Sequence, residues 1–309
     1  MLLTHPQVQA FLDYLRFEKR YSQHTLISYQ TDLAQFFAFL ESQFDAPAIE
    51  SISSIFIRSW LAELKEDKIS SKSINRKIST LKSFFRYLMK QGVIKQTPMT
   101  TIISPKISKR LPSFIDEKAT ARLFDNKKEQ KNDELNKKED SEWELRTDKL
   151  ILSLFYETGM RVSELVNLKE KHIDKHYGQI KVLGKGNKER IIPVSNKLLT
   201  WIEEYIGEKP ARLEGVEEVL VNEKGKPLYS RYVYARVNKL LKEIEDITIE
   251  KKSPHILRHT FATHLMNNGA ELNAVKELLG HSSLAATQVY THNTIEKLKE
   301  IHKKAHPKA

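Results

Sequence analysis

Six polar residues in the second half of the chain have the side-chain types that are needed to cleave a phosphodiester bond. They are Arg161, Lys185, His255, Arg258, His281 and Tyr290. Two guanidinium groups can bind the phosphate oxygens, which gain negative charge in the transition state. A tyrosine hydroxyl can attack phosphorus, although its ordinary pKa of about 10 requires help from a nearby base or cation. A lysine can protonate the departing oxygen, so the set predicts transesterification without a cofactor.

Each of these signals is weak by itself, and three of the residues also have a purely structural interpretation. Arg161 follows a glycine turn and could form a surface ion pair with Glu164, and Lys185 could be an ordinary turn lysine. Tyr290 could be a half-buried packing residue on a helix. The prediction therefore depends on the six residues meeting at one place.

Zinc binding is the main alternative for the histidines. His255 and His259 are four residues apart, which is the spacing of a zinc-binding pair on a helix. In metallopeptidase helices a glutamate follows the first histidine, whereas here that position is Ile256, and Arg258 would put a cation beside the metal. We therefore expect no metal site.

The composition indicates a polyanionic partner. The 309 residues, enough for about two domains, carry a formal net charge of +11. Between Lys68 and Ile115 eleven residues are basic and none is acidic, which is typical of a nucleic-acid-binding surface. The absence of cysteine excludes disulfides and thiolate sites. No apolar stretch reaches the roughly 18 residues of a transmembrane helix and the start resembles no secretory signal, so we predict a cytoplasmic location.

The elements that must position the six residues fall into two predicted domains. The first hundred residues have the periodicity of amphipathic helices, without strand alternation. A basic stretch bracketed by prolines predicts a linker at residues 106–112, between a helical domain at 1–105 and a second domain at 113–309. The charged segment 126–142 has too few apolar residues to order itself and is predicted to be a surface insertion.

The last helix of the first domain is predicted to lie between Lys72 and Lys90. Its apolar face consists of Ile74, Ile78, Leu81, Phe85 and Leu88. The opposite face is basic and contains several serines, which favours contact with DNA phosphates, although it could be only a solvated surface.

The second domain combines helices with a β-hairpin. Strands are predicted at 179–183 and 189–194, joined by a glycine-containing turn that carries Lys185. Helices are predicted at 198–205, at 232–244 after a possible N-cap at Ser230, at 255–266 after Ser253 and Pro254, and at 272–279 before Gly280. The predicted fold class is mainly α with a small antiparallel β-sheet.

The motifs around these residues resemble those of the tyrosine recombinase (phage integrase) family, and of its Xer type in particular. The segments are Thr158–Leu165, Gly184–Arg190, His255–His264, Leu279–Ser283 and Tyr290–His292, together with Tyr21–Tyr29 near the N-terminus. The resemblance covers nearly the whole chain. It implies an N-terminal helical, SAM-like core-binding domain and a C-terminal α+β catalytic domain, which close around a DNA duplex. The insertion at 126–142 departs from the compact Xer pattern.

The resemblance also implies a role for each candidate residue. Arg161 and Arg258 would hold the phosphate, and Glu164 would brace the arginines or His255. Lys185 would be the general acid, and His255 would assist proton transfer. His281 would donate a hydrogen bond to the phosphate, and Tyr290 would be the nucleophile that forms a 3′-phosphotyrosyl bond. Contacts to DNA would come from Thr25, Lys72, Arg76, Lys77 and Ser83.

The function that the resemblance implies is site-specific DNA strand exchange, without metal or ATP, by four protomers on two DNA sites. Within the Xer type this would resolve chromosome dimers at a dif-like site, with a paralogous recombinase and a DNA translocase as partners. Leu298 and Ile301 of the last helix would dock on a neighbouring protomer, or else pack on their own domain. The alternatives are an integrase of a mobile element, a non-catalytic DNA-binding accessory protein, and a relaxing enzyme similar to type IB topoisomerases.

Overall fold

The structure is a computed structural model, and it describes residues 5–107, 114–124, 141–184, 189–210, 215–243, 252–280 and 300–307. The chain divides into two units, Met1–Arg110 and Leu111–Ala309, and this boundary lies within the predicted linker. Among the described residues, no helix has the length and apolar character required to cross a membrane.

The first unit is helical throughout its regular elements. Its helices are α1 (Pro6–Asp13), which a π-helical turn extends over Tyr14–Glu18, α2 (Gln23–Phe44), α3 (Ser54–Glu66) and α4 (Ser71–Lys90). Serine side chains cap the N-termini of α2, α3 and α4 by accepting hydrogen bonds from free backbone N–H groups. These local signals explain why the sequence begins a helix at each of these points.

The core of the first unit confirms the predicted apolar face of α4. All five residues of that face are buried, and they pack with aromatic side chains from the other helices, including Phe11, Phe36 and Trp60. Because burial of a large apolar side chain contributes roughly 1.5–3 kcal/mol, this packing fixes which side of α4 is left for solvent.

In its described part, the second unit contains seven helices, α5 to α11, and one small sheet. The helices are α5 (Glu117–Phe124), α6 (Glu142–Thr158), α7 (Val162–Val166), α8 (Asn196–Gly207), α9 (Ser230–Lys242), α10 (Pro254–Asn267) and α11 (Leu272–Leu279). A further helical segment covers 300–305. The strands β1 (Ile173–Asp174), β2 (Gln179–Leu183) and β3 (Glu189–Pro193) form an antiparallel sheet in the order β1-β2-β3.

Helix α6 is the central element of this unit, because every residue from Leu150 to its last residue, Thr158, is buried. It ends at Gly159, whose φ of +58° belongs to the left-handed region that favours glycine. A Cβ atom at Gly159 would lie 2.5 Å from Cδ1 of Phe261 on α10. Glycine is therefore needed both for the turn and for the close approach of α6 to α10.

Most predicted elements of the second unit are observed, with ends that lie within a few residues of the predicted ones. Three details differ. The short strand β1 was not predicted. Ser230 is the first residue of α9, and the N-cap is Tyr229. Glu142 is not part of an insertion but begins α6, with the Ser141 side chain as its cap. The rest of the charged segment, 126–140, lies outside the described residues.

Candidate active site

The structure describes four of the seven residues predicted for the active site. These are Arg161, Glu164, His255 and Arg258. Lys185, His281 and Tyr290 lie outside the described residues, so their predicted roles stay predictions.

Arg258 is held in a buried position between α6 and α11. It lies one turn into α10 and is 8% exposed. Its Nη1 donates to the carbonyl of Gly159 at 2.5 Å, and its Nη2 donates to the carbonyl of Leu279 at 2.7 Å. Burial, together with the charges of Arg161 and Arg190, lowers the pKa of Arg258 to about 10. The guanidinium therefore stays charged at neutral pH.

Arg161 is the N-cap residue of α7 and is partly exposed. Its backbone N–H donates to Oε2 of Glu164 at 2.7 Å, in the manner of a capping box. Its Nη1 donates to Oε1 of the same carboxylate at 2.8 Å, which is the ion pair considered from the sequence. Its Nη2 lies 3.4 Å from the carbonyl oxygen of Gly280. With 32% of the side chain exposed, Arg161 has access to solvent and hence to a ligand.

A third arginine, Arg190 on β3, binds the same carboxylate as Arg161. It is 4% exposed and donates from Nη1 and Nη2 to the two oxygens of Glu164, at 2.7 and 2.8 Å. Its Nε donates to the carbonyl of Leu278 at 2.8 Å. No role for Arg190 was predicted from the sequence. The available signal was its position two residues before Ile192, which puts a charged side chain on the core-facing side of a strand.

The three arginines thus contact three consecutive carbonyl groups at the C-terminus of α11. Arg190 contacts Leu278, Arg258 contacts Leu279, and Arg161 contacts Gly280. The last carbonyls of a helix have no partner within the helix and carry its negative dipole end, so they stabilise nearby cations. Guanidinium groups from α7, α10 and β3 therefore meet at this end of α11. We call Arg161, Arg190 and Arg258 together the arginine cluster.

Glu164 balances part of this positive charge. Burial alone would raise the pKa of its carboxyl group, but hydrogen bonds from Arg190 and Arg161 and the charge of Arg190 together lower it. Glu164 is therefore a carboxylate at neutral pH.

His255 lies on an exposed part of α10, three residues before Arg258. Partial burial of the imidazole lowers the pKa of His255, and the neighbouring His259, Arg258 and Arg161 lower it further. The imidazole is therefore neutral at pH 7 and can accept a proton. Its ring centroid lies 6.2 Å from that of Tyr234 on α9, a neighbour that was not predicted.

In the described part of the chain, no third potential zinc ligand lies beside His255 and His259. His255 and His259 are both exposed on α10. Among the described residues, no group of three or more histidine, cysteine, aspartate or glutamate side chains has an arrangement that could hold a metal ion.

The predicted DNA-binding residues of the first unit have different environments. Lys72 and Arg76 are exposed, and Thr25 and Ser83 are half-buried. The backbone N–H of Thr25 donates to the Ser22 side chain that caps α2, and the hydroxyl groups of the two residues are 2.9 Å apart. The predicted DNA contact of Lys77 is corrected by the structure, because this residue is 5% exposed and its side chain points into the unit.

Lys77 belongs to a buried polar network between α2 and α4. Its Nζ donates to Oδ1 of Asp32 at 2.9 Å and also contacts Gln35. It lies 5.6 Å from the ring centroid of Trp60. Arg76 donates to the other oxygen of Asp32 at 2.5 Å, although 47% of its side chain remains exposed. Lys77 therefore balances a buried carboxylate instead of presenting its charge to a ligand.

The C-terminal segment packs on its own unit in the single chain. His302 is buried and its Nε2 lies 3.1 Å from the carbonyl oxygen of Glu157. Ile301 packs against a cluster that includes Phe261 and Leu278. Of the two predicted positions for Ile301, this is the one on its own domain, and Leu298 lies outside the described residues.

Comparisons with known proteins identify the family to which the chain belongs. Residues 114–297 match the phage integrase family, and residues 8–92 match the phage integrase N-terminal SAM-like domain. A tyrosine recombinase XerC from Staphylococcus saprophyticus is 41% identical over 303 residues, covering 97% of this chain and 97% of that protein. A tyrosine recombinase XerC from Halalkalibacterium halodurans is 37% identical over 309 residues, covering 98% and 97%.

Solved structures share the fold. The post-cleavage complex of the XerH site-specific recombinase with a palindromic difH substrate matches with a TM-score of 0.69 at 23% identity, covering 95% of this chain and 82% of that chain. A lambda integrase dimer bound to a COC′ core site matches with a TM-score of 0.68 at 19% identity, covering 96% and 77%. Together with the sequence matches over both units, these findings show that the chain belongs to the phage integrase family of tyrosine recombinases.

Proposed function

We propose that the protein is a site-specific tyrosine recombinase of the Xer type, which cleaves and exchanges DNA strands through a 3′-phosphotyrosyl intermediate. The observation that carries the proposal is the arginine cluster, in which Arg161 and Arg258 reach adjacent carbonyls from separate helices. Two guanidinium groups at one place are what a phosphate needs when its charge increases in the transition state. The similarity to XerC proteins over 97% of the chain supports the same function.

In the proposed reaction the oxygen of Tyr290 attacks the scissile phosphorus. A bond forms between that oxygen and phosphorus, and the bond from phosphorus to the 5′ oxygen breaks. The tyrosine proton passes to the neutral His255, and Lys185 gives a proton to the departing 5′ oxygen. Arg161, Arg258 and His281 stabilise the phosphate, and Glu164 holds Arg161 by the ion pair described above. The ester stores the energy of the broken bond, so rejoining requires neither ATP nor metal.

The proposed biological role is resolution of chromosome dimers at a dif-like site by a tetramer on two DNA sites. A paralogous recombinase and a DNA translocase are the proposed partners, and a chromosomal substrate implies a cytoplasmic location. The support is the similarity to proteins named XerC and the fold shared with a recombinase bound to a difH substrate.

Trapping on a nicked suicide duplex tests the proposed chemistry. Loss of a short 5′-hydroxyl fragment after cleavage prevents rejoining, so the protein should accumulate as a covalent adduct on the 3′ side. Mapping of the modified peptide should identify Tyr290. An adduct at another residue, or cleavage without an adduct, would contradict the proposal. Relaxation of a supercoiled plasmid that lacks a recombination site would instead favour a topoisomerase-like enzyme.

The pH dependence of cleavage should reflect the lowered pKa of His255. Because the neutral imidazole is the active form, we expect the single-turnover cleavage rate to fall with decreasing pH, with a midpoint below the ordinary histidine pKa of 6.5. This fall follows the uptake of a proton by His255. His255→Gln should lower the rate and remove this fall, whereas His176→Gln, at an exposed turn histidine, should keep the wild-type profile. A midpoint above pH 6.5 would contradict the assignment.

Salt dependence of DNA binding should distinguish the exposed Lys72 from the buried Lys77, both on α4. Each neutralised phosphate contributes about 0.9 to the slope of log K against log salt, so Lys72→Gln should reduce the slope by about 1. Lys77→Gln should leave the slope unchanged and lower the midpoint of thermal unfolding, because Asp32 loses a buried partner. Lys65→Gln, at an exposed lysine on α3, is the matched control and should change neither. Equal slopes for wild type and Lys72→Gln would exclude Lys72 as a phosphate contact.

A further inference from the structure

A buried arginine that no proposed catalytic step uses lies on β3. Arg190 is 4% exposed and shares the core-facing side of the strand with Ile192. A buried guanidinium is costly unless its charge is paired and its N–H groups are bonded. The partners of Arg190 therefore show what its side chain holds in place.

Three hydrogen bonds join Arg190 to two separate elements. The bidentate pair to Glu164 fixes both oxygens of that carboxylate on α7. The bond from Nε to the carbonyl of Leu278 fixes the last turn of α11. A planar guanidinium can make all three bonds at once, whereas a lysine ammonium presents only a single point charge.

The stem of Arg190 also packs directly on the turn that ends α11. A Cβ atom at Gly280 would lie 2.9 Å from Cδ of Arg190, and Gly280 has a φ of +62°. The position of this turn therefore depends on the position of Arg190. In the sequence the next residue is His281, a proposed phosphate ligand.

Arg190 also sets how Glu164 acts on Arg161. The carboxylate accepts hydrogen bonds from both arginines, and Arg190 is the strongest influence that lowers its pKa. Without Arg190, the charge of Glu164 would draw the guanidinium of Arg161 more strongly toward itself. Less of that guanidinium would then be available to a phosphate.

We propose that Arg190 is a positioning residue for DNA cleavage. It acts through Glu164 on Arg161, and through the end of α11 on the carbonyl of Leu279, which accepts a hydrogen bond from Arg258. The proposal rests on the proposed recombinase function, and it adds β3 to the elements that set the geometry of the phosphate site.

The test compares Arg190→Met and Arg190→Lys with the wild type on nicked suicide DNA, in single turnover. Misplacement of catalytic groups by about 1 Å can cost about 100-fold in rate, so Arg190→Met should lower the cleavage rate constant by about 10- to 100-fold. Arg190→Lys should show a smaller loss, and DNA affinity should be unchanged in both. Lys181→Met, at an exposed lysine on β2 that pairs with Glu189, is the control and should cleave at the wild-type rate.

Two readouts distinguish positioning from a loss of folded protein. A smaller folded fraction lowers the final amount of adduct, whereas misplacement lowers the rate constant at which adduct forms. Glu164→Gln combined with Arg190→Met should cost less than the product of the two single effects, because both changes act through the same contact. If Arg190→Met fails to fold in a thermal unfolding experiment, Arg190→Lys and its combination with Glu164→Gln provide the same comparison.

Three outcomes would overturn the proposal. These are a wild-type rate constant in Arg190→Met, a reduced adduct amplitude with an unchanged rate constant, and multiplicative effects of the Glu164 and Arg190 substitutions. Absence of adduct with the wild-type protein would instead contradict the proposed function, so the two failures are distinguishable.

Discussion

Tyr290→Phe is expected to abolish the covalent protein–DNA adduct completely and to leave DNA binding intact. The substitution removes only the phenolic oxygen, which is the proposed nucleophile, and keeps the ring. No other group in the proposed site can form the same 3′-phosphotyrosyl ester. The measurement is denaturing gel electrophoresis of end-labelled suicide DNA after incubation with the protein, alongside a mobility-shift titration for affinity.

The matched control for this experiment is Tyr229→Phe. Tyr229 is 63% exposed in the same unit and loses the same single oxygen atom. It should form the adduct at the wild-type rate. Survival of the adduct in Tyr290→Phe would falsify the assignment of the nucleophile, and loss of DNA affinity would show that Tyr290 has a structural role.

The second large effect is expected from the arginine cluster, where two substitutions should differ in their cost to the fold. Arg161→Ala should lower the cleavage rate by about 10²–10³, which is the cost of removing one donor from an oxyanion site. Its effect on thermal stability should be small, because Arg190 still pairs with Glu164. Arg258→Ala should lower the rate by a similar factor and also destabilise the fold. It leaves the buried carbonyls of Gly159 and Leu279 without their donor, at about 1–3 kcal/mol each.

Arg146→Ala provides a matched control for these variants. Arg146 has the same exposed side-chain fraction as Arg161, 32%, and it also forms ion pairs, but it lies in the first turns of α6 at the opposite end from Arg161. Cleavage by Arg146→Ala should equal that of the wild type. A harmless Arg161→Ala would remove the phosphate-binding role of the cluster, and an undiminished unfolding temperature for Arg258→Ala would contradict the structural role of its hydrogen bonds.

The sequence predicts those parts of the structure that depend on local signals. Strand β2 has its predicted limits and β3 ends one residue before its predicted end, since alternation and a glycine turn define a hairpin. Helix α11 has its predicted limits because Gly280 ends it. The apolar face of α4 follows from its helical period alone. The family, and with it the order of two domains of known type along the chain, follows from motifs that are contiguous in the sequence.

Features that depend on contacts between distant segments were not predictable in the same way. Lys77 looks like one more basic residue of α4 until Asp32, from α2, is found beside it. The convergence of three arginines on successive carbonyls of α11 involves residues separated by as many as 119 positions. Strand β1 has two residues, too few to show any alternation.

The way α11 ends has a consequence for the protein before DNA arrives. Like charges that converge repel one another, so a pocket built only from cations would tend to spread apart until its substrate bound. Here the carbonyl groups at the end of α11 carry the partial negative charge of the helix dipole. This charge offsets the repulsion among the three guanidinium groups before any phosphate binds. In the proposed reaction the phosphate would meet guanidinium groups that are already close together, and little of its binding energy would be needed to assemble the site.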